Sequence, residues 1–164
     1  MTSSLQSHNK GLPKGSLSRI HHISLKVTNM KISKHFYGNI LGLQELTNST
    51  FPESISRLVK AEKIAIFYIP DGSLVNLFLE PDLALHSSSY PQSFTHAEIS
   101  NHLAFEIDSQ RFEQAVEVMY TNNVKFDYGI NGSTGKALYC YDPDGFLIEI
   151  RYDYLRLPQP NNLT

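Results

Sequence analysis

The sequence predicts an α+β fold in which two tandem βαβββ modules pair into one curved mixed sheet, with the helices outside. Two internal matches carry this expectation. His22-Ile23-Ser24-Leu25-Lys26-Val27 is matched by His102-Leu103-Ala104-Phe105-Glu106-Ile107. Asp71-Gly72-Ser73-Leu74-Val75-Asn76-Leu77 is matched by Asp144-Gly145-Phe146-Leu147-Ile148-Glu149-Ile150. The order of signals between the matches is also the same: strand, helix, strand, strand, turn, strand. A repeat of this length is one supersecondary unit that cannot cover its own apolar face, so two of them are expected to share a core. Module one is placed at 19–81, a linker at 82–100 and module two at 101–153, between tails at 1–18 and 154–164.

The elements follow in order. In 20–27 the apolar Ile23, Leu25 and Val27 alternate with His22, Ser24 and Lys26, the pattern of a strand with one polar face. Thr28 or Asn29 caps a helix in which Ile32, Phe36 and Ile40 recur, with Tyr37 and Leu41 alongside, and Gly42 ends it. Strands are expected at 43–47 and 63–69. Pro70-Asp71-Gly72-Ser73 then turns the chain into a further strand at 74–80. The stretch 82–100 is rich in Ser, His and Pro without period and reads as a connection. The plan restarts with a strand at 101–107 that sets Leu103, Phe105 and Ile107 against His102. Asp108 caps a helix carrying Phe112, Ala115, Val116 and Met119 at helical spacing. After a strand near 124–128, Asp142-Pro143-Asp144-Gly145 joins 137–141 to 146–152 as a hairpin.

Composition excludes several classes. Fourteen basic and sixteen acidic side chains give a net charge of −2, with no basic excess for nucleic acid. No apolar run is long enough to span a membrane. The lone cysteine, Cys140, rules out an intrachain disulfide and suits a reducing cytoplasm. The first eighteen residues lack the apolar core of a secretory signal.

The last strand holds the feature that points to chemistry. Glu149 lies between Ile148 and Ile150 and faces away from them, and a carboxylate in apolar surroundings requires a compensating charge. A salt-bridged structural glutamate is one reading. The repeat favours another, because His22 and His102 open equivalent strands and Glu149 closes the second module.

This arrangement resembles the vicinal oxygen chelate superfamily, which includes glyoxalase I, fosfomycin- and bleomycin-resistance proteins and extradiol dioxygenases. The residues that carry the resemblance are His22–Val27, His35–Leu43 and Asp142–Ile150, within a match covering about 20–153. It implies a cavity holding a divalent metal, with His22, His102 and Glu149 as ligands. The fourth position of the family falls on Asn76, a neutral oxygen that cannot act as a base; Glu80, on the same face, is the other candidate. Two histidines and one carboxylate form a facial triad of the kind found in non-haem iron oxygenases. Tyr139 to Glu149 also resembles the extradiol run Y-x-x-D-P-x-G-x-x-x-E, which implies that Tyr139 is a catalytic hydrogen-bond donor. That signature places a histidine where this chain has Asn131, and its acid/base histidine falls in the region of His86 and His96. The implied activity is metal-dependent turnover of a small bidentate oxygen substrate, with extradiol dioxygenation preferred. A glyoxalase I-like lyase or isomerase and a metal-free bleomycin-resistance-type binding protein are the alternatives. Fe(II) is the preferred metal, with Mn, Ni and Zn admissible, and a homodimer is expected.

Further expectations concern individual side chains. Phe78, Tyr139 and Tyr141 should line the cavity, and Cys140 should be buried and inert. His21 should pack inward. His35, Arg57, Lys60 and Lys136 should face solvent.

Overall fold

The computed structural model describes residues 12, 15–47, 51–82, 101–129 and 135–153 of the chain. The fold is α+β, built from two four-stranded mixed sheets, one per repeat. The first contains β1 (His22–Val27), β2 (Gln44–Glu45), β3 (Ile64–Tyr68) and β4 (Leu74–Leu79), in the order β1-β4-β3-β2. The second contains β5 (Leu103–Glu106), β6 (Phe126–Gly129), β7 (Gly135–Tyr141) and β8 (Leu147–Asp153), in the order β5-β8-β7-β6. In each, the first strand runs parallel to the last and the other pairings are antiparallel.

The expected single curved sheet is therefore divided. Among the described residues β1 bonds only to β4 and β5 only to β8, so each keeps a free edge. Within the chain the modules meet through their apolar faces instead. Leu25, Val27, Phe67, Val75 and Leu77 of the first sheet join Leu103, Leu138, Cys140, Ile148 and Ile150 of the second in one core. Burying such faces removes the largest apolar area from water, which favours this contact over an edge-to-edge one.

Asn29 opens helix α1 (Met30–Lys34), its side chain accepting from Ile32 N at 3.1 Å. Instead of continuing as an α-helix, the chain widens into a π-helical segment at His35–Ile40, with Leu41 N bonding to Phe36 O at 2.9 Å. Gly42, at φ 73°, supplies the left-handed residue that ends it. The widened turn buries Phe36 and Tyr37 side by side and leaves Ile32 52% exposed, which corrects its expected place in the core. His21 is likewise exposed rather than packed, and hydrogen-bonds the adjacent His22.

Helix α2 (Glu53–Lys60) was not anticipated, and the strand expected at 43–47 shortens to two residues. The signals for α2 were present: Pro52 just before the first turn, Ile55, Leu58 and Val59 at helical spacing, and a Glu53–Arg57 pair one turn apart, which bonds at 2.6 Å. In module two, Asp108 caps a 3₁₀ turn at Ser109–Arg111 that leads into α3 (Phe112–Thr121). Phe112, Val116 and Met119 of α3 enter the shared core as expected.

The modules are also joined by polar contacts. Asp144, in the turn before β8, accepts from Thr28 N at 2.8 Å, Thr28 Oγ1 at 2.6 Å and Ser33 Oγ at 3.0 Å. Asp142 accepts from Tyr37 Oη at 2.8 Å. Both carboxylates are buried, so these bonds act where water does not compete.

Candidate functional site

The strand registers place the candidate residues. On β8 the side chains of Glu149 and Arg151 share the face opposite to Ile148 and Ile150, which go to the core. Ala104 is the neighbour of Glu149 on β5, so His102, two residues earlier, lies on the same face. Tyr139 is the neighbour of Glu149 on β7.

These residues converge. His102 Nε2 lies 2.7 Å from Glu149 Oε2, and Glu149 is only 2% exposed. Tyr139 hydrogen-bonds the same carboxylate through its hydroxyl, and its ring meets the His102 ring edge-on at 6.0 Å. Burial, reinforced by the charge of Glu149, pushes the Tyr139 hydroxyl up to about 12, so it stays a neutral donor at physiological pH. Gly129 provides the space for this ring, since a Cβ there would overlap it. Arg151 Nη1 reaches Glu149 Oε1 at 3.5 Å while Nη2 holds Asp153 Oδ1 at 2.6 Å. Glu149 thus has the charge partner that its surroundings require, as well as the histidine expected of a ligand pair.

In module one the register makes Asn76 the neighbour of Ser24, just as Glu149 is of Ala104. Asn76 therefore holds the place of Glu149, and His22 the place of His102. Asn76 Oδ1 is buried and has no hydrogen-bond partner. Glu80 lies beyond the end of β4 and pairs with Lys26 at 3.7 Å. Phe78, on the face of Asn76, is 38% exposed, whereas Tyr139 and Tyr141 lie on the other sheet.

His22 is exposed at the outer edge of the first sheet. Among the described residues, no three His, Cys, Asp or Glu side chains come together in a group that could hold a metal ion. One chain therefore brings His102 and Glu149 together and leaves His22 apart. His86, His96 and Asn131 lie outside the described residues.

Cys140 is fully buried on the opposite face from Tyr139, and burial followed by the charge of Asp142 pushes its thiol up to about 12. Arg57 and Lys136 form surface pairs with Glu53 and Glu113. Arg151 is the group that sequence reasoning left without a role. Its position on the Glu149 face was readable from the alternation of β8.

Comparison with known proteins agrees with the fold. Residues 19–150 match the family model described as Glyoxalase/Bleomycin resistance protein/Dioxygenase superfamily, and the chain belongs to that superfamily. A crystal structure of a glyoxalase/dioxygenase from Nostoc punctiforme is similar at 44% identity and a TM-score of 0.79, covering 91% of this chain and 100% of that one. The metallothiol transferase FosB of Shouchella clausii is 30% identical over 138 residues, covering 80% of this chain and 77% of the relative. The fosfomycin resistance protein FosX of Listeria monocytogenes, complexed with Mn(II) and sulfate, shares the fold at a TM-score of 0.60 and 23% identity, covering 85% and 93%. No helix among the described residues is long and apolar enough to cross a membrane.

Proposed function

We propose that this protein is a divalent-metal enzyme acting on a small bidentate oxygen substrate, and that its metal site is completed between two copies of the chain. His102 and Glu149 of one copy and His22 of another would be the ligands. The observation that carries this reading is the 2.7 Å approach of His102 Nε2 to the buried Glu149 carboxylate. Two such donors aimed at one point suit a metal between them, since a nitrogen and an oxygen that share a proton can instead share a cation. The separation of His22 from this pair, at the free edge of β1, supports a ligand supplied in trans.

Nitrogen and oxygen donors admit Fe(II), Mn(II), Ni(II) or Zn(II). Such an ion supplies Lewis acidity to a bound substrate oxygen. The chain's own groups do the rest. Tyr139 holds the Glu149 carboxylate by donating to it, and Arg151 offsets its charge. The isoleucines of β8 close the sheet behind the site against water.

Transfer chemistry of the metallothiol-transferase kind is the first reading, because a relative of that name aligns over most of this chain. Extradiol dioxygenation with Fe(II) is the second, favoured by the place of Tyr139 beside both His102 and Glu149. The glyoxalase I-like lyase reading needs a base on module one. There Asn76 is neutral and Glu80 pairs with Lys26.

Metal analysis after reconstitution with each of the four ions tests the proposal. Stoichiometric metal in the wild type, lost in His102→Ala, Glu149→Ala and His22→Ala, is the expected result. Mixing His22→Ala with His102→Ala chains should restore one metal per heterodimer. A wild type that takes up none of these ions would sink the enzyme reading in favour of a metal-free binding protein. Full uptake by His22→Ala would remove the second copy from the site. Oxygen consumption with catechols, set against thiol consumption with a small electrophile, then separates the two reactions.

A further inference from the structure

Two buried side-chain atoms of the described residues lack a hydrogen-bond partner: Asn76 Oδ1 and Arg151 Nε. A buried polar group left unpaired lowers stability, so each such group calls for an explanation. These two are not scattered. Asn76 lies on the face of the first sheet that bears His22 and Ser24, and Arg151 on the face of the second that bears His102 and Glu149. One is an acceptor and the other a donor.

We propose that Arg151 and Asn76 are the substrate-reading groups of the site. Arg151 receives an anionic oxygen, and Asn76 accepts a hydrogen bond from a hydroxyl or N–H group of the same small molecule. The proposal rests on the reading above, in which the His22 face of one copy closes over the Glu149 face of another.

The geometry of Arg151 fits the role. Asp153 holds Nη2 at 2.6 Å and orients the guanidinium, while the contact from Nη1 to Glu149 is long at 3.5 Å. A guanidinium has five N–H donors in a rigid fork suited to a carboxylate or a tetrahedral oxyanion, and only one is closely engaged here. Charge points the same way. With a divalent ion bound, Glu149, Asp153 and Arg151 together leave one net positive charge, which a monoanionic ligand neutralises.

Asn76 fits as well. Beside it on β3, on the same face, is Ile66, 7% exposed, while its neighbours along β4, Val75 and Leu77, go to the core on the opposite face. A purely structural residue in this setting would be apolar or would have its amide oxygen bonded. A site with an acceptor held ready discriminates for a ligand that brings the donor.

Calorimetric titration tests this with glycolate and propionate, monoanions of similar size that exchange a hydroxyl for a methyl, and with methylphosphonate as the tetrahedral anion. Each is titrated into wild type, Arg151→Gln and Asn76→Leu, with and without Mn(II). Wild type should prefer glycolate. Arg151→Gln should weaken glycolate and propionate alike, by about tenfold or more, as befits loss of a charge-assisted bond. Asn76→Leu should weaken glycolate by about threefold to tenfold and leave propionate unchanged, while its Tm stays level or rises. Methylphosphonate binding that depends on Arg151 would extend the class to phosphonates and phosphates; binding confined to the carboxylates would restrict it to planar anions. Wild type that binds none of the anions, or variants that bind them as wild type does, would overturn the proposal. A lower Tm in Asn76→Leu with unchanged preference would make Asn76 structural. Absence of Mn(II) binding alongside Arg151-dependent anion binding would overturn the metal reading and uphold this one.

Discussion

The turns that precede β4 and β8 have the same backbone and opposite surroundings. Ile69 N bonds Ser73 O at 3.0 Å, and its counterpart Asp142 N bonds Phe146 O at 2.9 Å. Gly72 and Gly145 sit at φ 87° and 84°. Asp71 is nevertheless exposed and spends its carboxylate on its own neighbour, Ser73, whereas Asp144 is buried and reaches Thr28 and Ser33 of the other module. Module one has Ile69 where module two has Asp142, the acceptor for Tyr37. The repeat has thus kept the chain path and reassigned the side chains. The same division holds at the site, where Asn76 stands in the place of Glu149. Module two places its carboxylates at the candidate site and at the joint between modules, where module one has the neutral Asn76 and Ile69 and an aspartate, Asp71, turned to solvent.

The comparison can be broken most sharply at the aspartates. Asp144→Ala should lower stability by about 3 kcal/mol, since it leaves Thr28 N and Thr28 Oγ1 at the joint without an acceptor and Ser33 Oγ with Asn29 O alone. Asp71→Ala, exposed, should stay within about 0.5 kcal/mol. Denaturant unfolding of both variants checks this, and equal losses would dissolve the distinction. Tyr37→Phe should lose about 1–3 kcal/mol by stripping a donor from the buried Asp142 carboxylate. Gly72→Ala and Gly145→Ala should each lose about 1 kcal/mol and match one another, because the left-handed φ is common to both turns.

The smallest effect concerns pH, where the two turns should differ in sign. Burial raises the Asp142 carboxyl above its ordinary value near 3.8. Between that value and the raised one the native chain binds more protons than the unfolded chain, so the contribution is full below the ordinary value and is lost as pH rises through the raised one. The Ser73 hydrogen bonds lower Asp71. Its contribution is present above about 3.8 and lost as pH falls through the lowered value, and solvent screening keeps it slight. Unfolding free energies of wild type, Asp142→Asn and Asp71→Asn across mildly acidic pH should show the first variant removing a negative slope and the second a weaker positive one.

Much of this was legible in the sequence. Alternation in His22–Val27 and Leu147–Tyr152 assigned each side chain to a face, because a strand's period is short and local. His102 and Glu149 were singled out through the family resemblance, and the parallel pairing of β5 with β8 sets them 2.7 Å apart. Two features were not legible. The link from Asp144 to Thr28 joins residues 116 apart, and no local pattern encodes which surface a buried carboxylate will meet. The isolation of His22 was hidden for a related reason: repetition establishes that His22 and His102 are equivalent, and equivalence under a pseudo-symmetry says nothing about adjacency. The widening at His35–Ile40 also escaped, since Ile32, Phe36 and Ile40 fit an ordinary helical stripe until Tyr37 is drawn toward Asp142.

Cys140 gives the molecule a built-in clock. Thiol reagents attack the thiolate, and this sulfur is both inaccessible and pushed up to about 12 in the native state. Modification must therefore wait until β7 leaves its sheet. Under excess reagent, the rate at which this single thiol is consumed measures how often the second sheet opens, without any added probe.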